Sequence, residues 1–167
     1  MHPQALRFYA DMLANLEPRT VVEFGSCNMN GSVRDVYPQA ESWWGIDTQP
    51  GPGVDELADA ATWQTDRTFG LVICAEVFEH SPDWAAIIDT AHRVLEPGGL
   101  FLASCATGNR PPHSAVDGGP LRDGEFYANV DPDEMWAVLD KHAWTDGQLI
   151  EADGHFGGDD LYIRAVK

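Results

Sequence analysis

A short apolar run that ends in an acid and a glycine, VVEFGSCNMNG at residues 21–31, is the feature that most constrains the fold. Its β-branched residues predict a buried strand, and Gly25 permits a tight turn into a following helix. Free amide donors at such a helix start suit a nucleotide-like ligand. For this segment alone, an ordinary strand, turn and helix without a ligand is the alternative.

Helix and strand patterns alternate along the rest of the chain. Helices are predicted over residues 3–16, 31–37, 60–64, 82–95 and 131–142, and strands over 20–24, 42–47, 54–57, 71–75, 100–105, 148–152 and 161–166. Ser81 with Pro82 is the expected start of the fourth helix, and Asp131 is the expected cap of the fifth. The order predicts an α/β fold: a Rossmann-like, doubly wound, mostly parallel sheet that ends in an antiparallel hairpin.

The length of 167 residues predicts one domain over residues 1–167, in which the irregular stretch 106–130 is a loop that covers the substrate. The chain has 10 Lys and Arg against 27 Asp and Glu, a net charge of −17. Such acidity disfavours nucleic acids and anionic membranes as partners, although it can also serve solubility alone. Asp153, Asp159 and Asp160 are expected on the solvated surface.

Three cysteines without a CxxC pair predict neither a disulfide framework nor a zinc site. No apolar run approaches the roughly 18 residues that span a bilayer, and the first residues lack the pattern of a signal peptide. A cytoplasmic protein is therefore expected. His113 and Asp117 lie four residues apart in a loop, which is too weak a pattern for a metal site, so no metal is expected. Nothing in the sequence indicates an oligomeric state.

Acidic residues stand at the carboxyl ends of the predicted strands. Asp47 comes 22 residues after Gly25, at a position where a carboxylate accepts hydrogen bonds from ribose hydroxyls. Asp59 follows the third strand and Glu76 the fourth. Together with Glu23, these carboxylates suit a ligand that carries positive charge. For Asp47 alone, a solvated surface position is the alternative.

Seven short motifs occur in a fixed order: VEFGS at 22–26, NGSVR at 30–34, GID at 45–47, GPGVD at 51–55, DA at 59–60, EVFEH at 76–80 and LEPGG at 95–99. In this combination the sequence resembles the class I S-adenosylmethionine-dependent methyltransferases, particularly the small methyltransferase type 11-like group. The motifs cover residues 20–105, and the remainder agrees by element order, including the terminal hairpin.

The resemblance implies S-adenosyl-L-methionine as the cofactor and methyl transfer to an unidentified small-molecule acceptor. It assigns Glu23, Gly25 and Ser26 to the amino-acid end of the cofactor, Asp47 to the ribose, Asp59 and Ala60 to the adenine edge, and Glu76 to the floor near the sulfonium. Cys27 and Met29 stand where the family usually has glycines. This departure favours the alternative of a non-catalytic cofactor-binding or interaction module. An NAD-binding domain is a further alternative, although it would have a GxGxxG run.

Methyl transfer depends mostly on proximity and orientation, and a general base is needed only if the acceptor keeps its proton. His113, in the irregular stretch, and His80, after the fourth strand, are the candidate catalytic residues because imidazole takes up a proton near neutral pH. A solvent-facing position is the alternative for His113, and a helix-start role for His80. The lack of a basic patch favours a small metabolite as acceptor over a protein or peptide.

Overall fold

The structure is a computed structural model that describes residues 1–17, 19–151 and 159–167. Its strands are β1 (Thr20–Phe24), β2 (Ser42–Asp47), β3 (Glu56–Leu57), β4 (Phe69–Ala75), β5 (Leu95–Ala106), β6 (Asp146–Glu151) and β7 (Asp160–Val166), and its helices are α1 (Pro3–Leu13), α2 (Trp84–Val94) and α3 (Pro132–Leu139). The strands form one sheet in the order β3-β2-β1-β4-β5-β7-β6. The first five strands pair in parallel, and β7 runs antiparallel to both β5 and β6. The predicted fold class is confirmed.

The centre of the sheet is buried on both faces. In β4, Leu71 and Ile73 pack on the face that α1 covers, whereas Val72 and Cys74 belong to the core on the opposite face, with α2 and α3. Because neither face of β4 meets solvent, every position of the predicted strand is apolar. This rigid centre holds the ends of β1 and β4 side by side.

Several predicted elements are shorter than expected: α1 ends at Leu13 instead of residue 16, and α3 ends at Leu139 instead of residue 142. Residues 31–37 hold only a 3₁₀ turn at Val33–Val36, and the third strand is limited to Glu56–Leu57. Residues 60–64 form no helix; the amide of Thr62 instead donates to the carbonyl of Asp59 at 3.0 Å in a single turn. The two predicted helical pieces have too few residues between breakers such as Gly31 and Pro38 to offset the cost of a helical nucleus.

The start of α3 agrees with the prediction, whereas the first and last residues of α2 differ from it. Asp131 caps α3 by accepting from the amides of Asp133 and Glu134, at 2.8 and 3.2 Å. In contrast, α2 begins only at Trp84, so Pro82 lies outside the helix. It ends at Val94, and β5 begins at Leu95, five residues before the predicted strand.

The connection from β5 to α3 contains turns and no helix or strand. Two backbone hydrogen bonds fasten its end to the body: the amide of Ala128 donates to Glu79 at 2.8 Å, and that of Val130 to Ala106 at 2.9 Å. At the terminal hairpin, β6 begins at Asp146, and the predicted end of that strand at Ala152 lies outside the described residues. Within the described ranges, no helix is both long and apolar enough to cross a membrane.

Candidate functional site

A cavity of about 1410 Å³ lies against the loops that follow the five parallel strands. Its lining includes all nine residues singled out in the sequence: Glu23, Gly25, Ser26, Asp47, Asp59, Ala60, Glu76, His80 and His113. The cavity opens where β1 and β4 are neighbours and the strand order reverses, which is where doubly wound sheets bind ligands. The topology therefore gathers residues that are far apart in the chain.

The turn after β1 is built so that a ligand can approach the main chain. Gly25 has a φ of +73°, and a Cβ added there would lie 2.3 Å from Cγ2 of Val77. The amides of Gly25 and Ser26 donate to the carbonyl of Ile46 at 3.0 and 3.1 Å, which fixes the turn against β2. The buried hydroxyl of Ser26 has no hydrogen-bonding partner among the described residues. A polar ligand group is the natural partner for it.

Glu23, the next-to-last residue of β1, is a buried carboxylate next to one cation. Its Oε2 lies 3.4 Å from Nε of Arg34. Burial raises the pKa of Glu23 to about 7, and the charge of Arg34 only partly opposes this. A second positive group nearby would favour the ionised carboxylate. The site can therefore gain electrostatic energy from a cationic ligand.

Asp47, at the end of β2, joins two loops. Its Oδ2 accepts from the amide of Cys27 at 3.0 Å, and its Oδ1 accepts from the amide of Gln49 at 2.8 Å. Each carboxylate oxygen keeps further acceptor capacity, which hydroxyl groups of a sugar can use. Asp59 is held in the same way, because its Oδ1 accepts from the amide of Ala61 at 2.9 Å.

A family model described as a methyltransferase domain matches residues 1–127. The chain belongs to this methyltransferase domain family. Among its relatives, the ubiquinone biosynthesis O-methyltransferase of Nitrosomonas europaea is 26% identical over 130 residues, which cover 68% of this chain and 54% of that protein. The curated relatives that it matches are longer, and the chain spans between 17% and 54% of their length.

Solved structures of methyltransferases share the fold. An S-adenosylmethionine-dependent methyltransferase from Mesorhizobium loti has a TM-score of 0.71 at 17% identity, with 98% of both chains covered. The Burkholderia thailandensis 1,6-didemethyltoxoflavin-N1-methyltransferase, solved with 1,6-didemethyltoxoflavin and S-adenosylhomocysteine, has a TM-score of 0.69 at 18% identity and covers 98% of this chain and 78% of its own.

Beyond the part of the cavity formed by β1 and β2, this methyltransferase domain holds an ionic network around Glu76. The Glu76 residue has a φ of +58°, and its Oε1 accepts from the hydroxyl of Ser104 at 2.7 Å. Its Oε2 lies 3.3 Å from Nε2 of His2 and 3.2 Å from Nη1 of Arg110. Although burial opposes ionisation, the hydrogen bond from His2 and the charge of Arg110 lower the pKa of Glu76 to about 2. The carboxylate is therefore ionised, and both of its oxygens have partners in the protein.

Asp160 completes this network, and its expected place on the solvated surface was wrong. The residue is buried, pairs with Arg110, and lies 3.1 Å from Nε2 of His2 through its Oδ2. Hydrogen bonds to Asp160 and Glu76 raise the pKa of His2 to about 10. Asp159 is exposed as expected, and Asp153 lies outside the described residues. No sequence pattern indicates a role for His2, because its partners are distant in the chain.

The two candidate catalytic histidines meet at the wall of the cavity. The ring centroids of His80 and His113 are 5.1 Å apart, and the ring of Tyr127 lies 5.4 and 4.9 Å from them. Burial and the neighbouring His113 lower the pKa of His80 to about 4, so its imidazole is neutral at pH 7. Beside it, burial and the charge of Glu76 raise the pKa of Glu79 to about 8. Asp117, which follows His113 by four residues, forms an ion pair with Arg122.

Proposed function

We propose that the protein transfers a methyl group from S-adenosyl-L-methionine to a small-molecule acceptor. The observation that carries this proposal is the gathering of the nine residues around one cavity at the carboxyl edge of the parallel sheet. The sulfonium of the cofactor supplies an activated methyl group, so the protein contributes binding and orientation. Membership of the methyltransferase domain family supports the same reaction.

The residues at the ends of β1 to β3 fit the cofactor. In the proposed arrangement Glu23, Gly25 and Ser26 hold its amino-acid end, where a buried carboxylate faces a cationic ammonium and the orphaned Ser26 hydroxyl gains a partner. Asp47 accepts hydrogen bonds from the ribose hydroxyls. Asp59 and Ala60 border the adenine.

Glu76 has a positioning role in this proposal. Its oxygens are engaged by Ser104, His2 and Arg110, so its carboxylate stays fixed as the floor of the site. An immobile floor keeps the reacting groups in line, which is the main source of rate in such a displacement.

For the acceptor side, the irregular segment 106–130 covers the substrate, and residues 110–116 supply part of the cavity wall. His113 is the proposed general base for an acceptor that keeps its proton, and His80 is the neutral imidazole beside it. We further propose that residues 1–167 act as one domain in the cytoplasm. The three cysteines, which are all free, support that location.

Calorimetric titration with S-adenosylhomocysteine, S-adenosylmethionine and NAD tests the cofactor. We expect binding of the first two and none of NAD. Asp47→Ala is expected to weaken S-adenosylhomocysteine at least about tenfold, the cost of a charged hydrogen bond. Asp66→Ala is the matched control, because Asp66 is an exposed acid that does not line the cavity. Binding of NAD alone, or equal affinities of both variants, would contradict the assignment.

Turnover separates an enzyme from a binding module. Transfer of a labelled methyl group to a panel of small metabolites is expected, with His113→Ala slowing it while leaving S-adenosylhomocysteine affinity unchanged. A protein that binds the cofactor and methylates nothing across metabolite, peptide and protein panels is a non-catalytic module, which Cys27 and Met29 in the turn after β1 would then explain.

A further inference from the structure

Glu79, His80 and His113 form a cluster of potential ligand atoms at the cavity wall. One carboxylate oxygen of Glu79 and one ring nitrogen of each histidine lie within 4.8 Å of one another. Glu79 and His80 lie in the 3₁₀ turn after β4, and His113 lies in the connection after β5. Both histidines line the cavity. The fold, rather than closeness in the chain, therefore creates this group of one carboxylate and two imidazoles.

Glu79 is the unusual member of the cluster. Its side chain is 0% exposed, and its Oε1 accepts from the amide of Ala106 at 3.3 Å. Its buried Oε2 has no hydrogen-bonding partner among the described residues. A buried carboxylate oxygen without a partner is costly unless a cation or donor compensates it. A metal ion that binds this oxygen in place of the carboxyl proton would give it a partner.

His113 presents a lone pair in a defined orientation. Its Nδ1 lies 3.2 Å from the backbone carbonyl of Pro111. Since a carbonyl only accepts, this contact places the proton on Nδ1 and leaves the lone pair on Nε2. Metal-binding histidines are commonly held by such a bond from the second ring nitrogen.

We propose that Glu79, His80 and His113 bind a divalent transition-metal ion such as Zn²⁺ or Co²⁺. Two imidazoles with one carboxylate favour these ions, whereas Mg²⁺ and Ca²⁺ prefer oxygen ligands. At bonds of about 2.1 Å, two ligands of a tetrahedral ion lie about 3.4 Å apart. The atoms, which lie within 4.8 Å, therefore need to approach by at most about 1.4 Å. Side-chain rotations of His113, in a connection without regular structure, supply such a shift.

Three protein ligands leave a coordination position open, as in zinc sites that bind substrate. Because His80 and His113 line the cavity, that position faces the acceptor. This step rests on the proposed function: the ion would bind an acceptor oxygen and lower the pKa of its hydroxyl group, so that the proton leaves to solvent. The O–CH3 bond then forms as the S–CH3 bond of the sulfonium breaks, and S-adenosylhomocysteine is the leaving group. With the ion bound, His113 holds the metal and no longer acts as the general base. The acceptor class is then a hydroxyl compound, and the product an ether.

Metal titration of untagged, chelator-treated protein tests the site without any turnover. Co²⁺ absorption and the zinc content after dialysis are expected to give one ion per chain. His113→Ala and Glu79→Gln are expected to weaken Co²⁺ binding by more than about 100-fold, beyond the effect of losing a residue that only orients a ligand. His142→Ala is the matched control, because His142 is a partly buried histidine that pairs with Asp89 and does not line the cavity.

Three results would overturn the site. The first is that neither ion binds stoichiometrically. The second is that His113→Ala binds Co²⁺ as tightly as the parent protein does. The third is a cobalt–thiolate absorption band, which would place the ion at Cys27, another residue of the cavity lining. If Glu79→Gln fails to fold, His113→Ala decides alone, because His113 is partly exposed. S-adenosylhomocysteine affinity is measured on the same metal-free samples. Retained cofactor binding without metal binding rejects the metal site and leaves the proposed function intact.

Discussion

The two ends of the cavity neutralise their carboxylates in different ways. At the end formed by β1 to β3, Asp47 and Asp59 accept hydrogen bonds from backbone amides, which carry no net charge. At the other end, Glu76 and Asp160 share the cations His2 and Arg110. The first end therefore keeps net negative charge for a ligand, whereas the second is already compensated. A cationic cofactor is expected to bind at the first end, and the second end is expected to keep the site in a fixed geometry.

The first end depends on close backbone packing. Among the variants considered, Gly25→Ala is therefore expected to lower the free energy of unfolding the most. The new Cβ would lie 2.3 Å from Val77, at a φ of +73° that disfavours any side chain. Strain and overpacking together cost about 2–5 kcal/mol in the free energy of unfolding. Chemical denaturation measures the loss, and S-adenosylhomocysteine affinity should fall with it.

Two variants separate the causes of that loss. Gly124→Ala has a similar φ of +86° but no heavy atom within 4 Å of its Cβ, so it should lose only the backbone cost of about 1–2 kcal/mol. Adding Val77→Ala to Gly25→Ala removes the collision and should restore part of the stability. An equal loss in Gly25→Ala and Gly124→Ala would show that the close approach of Val77 is unimportant.

Local spacing predicted the first end better than the second. The turn at Gly25 and the acid at Asp47 lie within one strand-turn-strand unit, so their positions follow from neighbouring residues and from strand pairing. The network of His2, Glu76 and Asp160 joins residues from opposite ends of the chain, and no periodicity encodes such a contact. For the same reason the prediction that Asp160 lies on the surface, which rested on its being an acidic residue, was wrong.

Glu79 illustrates a further limit of the sequence. It stands beside His80 in the EVFEH motif, yet its complete burial and its closeness to His113 follow only from the packing of the connection after β5. The spacing of four between His113 and Asp117 was too weak a pattern to predict a metal site, and the structure pairs Asp117 with Arg122.

The second end of the cavity should make stability depend on pH, with His2→Ala as the next largest effect. The pKa of His2 is about 10 in the folded protein against 6.5 ordinarily, so its stabilisation is complete below about pH 6.5 and is lost as the pH rises through 10. Removing the imidazole leaves two buried carboxylates with one cation fewer. The cost is about 2 kcal/mol near pH 7, less than for a fully buried pair because His2 is partly exposed.

Thermal unfolding between pH 6 and pH 10 measures this difference. The melting temperatures of the parent protein and His2→Ala should converge as the pH approaches 10, whereas His142→Ala should keep the parental pH dependence. A difference between the parent and His2→Ala that stays constant across this range would mean that His2 stabilises the fold by packing alone.

The smallest predicted effect returns to the first end, where Glu23 should make cofactor affinity depend on pH. Its pKa is about 7 in the free protein, and a cationic ammonium beside it lowers that pKa, so binding releases a proton. The affinity for S-adenosylhomocysteine should therefore rise as the pH increases from 6 to 8, by at most about tenfold, and level off above. Glu23→Gln, which keeps the shape and cannot ionise, should flatten this rise in the calorimetric titration. A parental affinity that is flat or falls with pH would place the ammonium group elsewhere in the cavity.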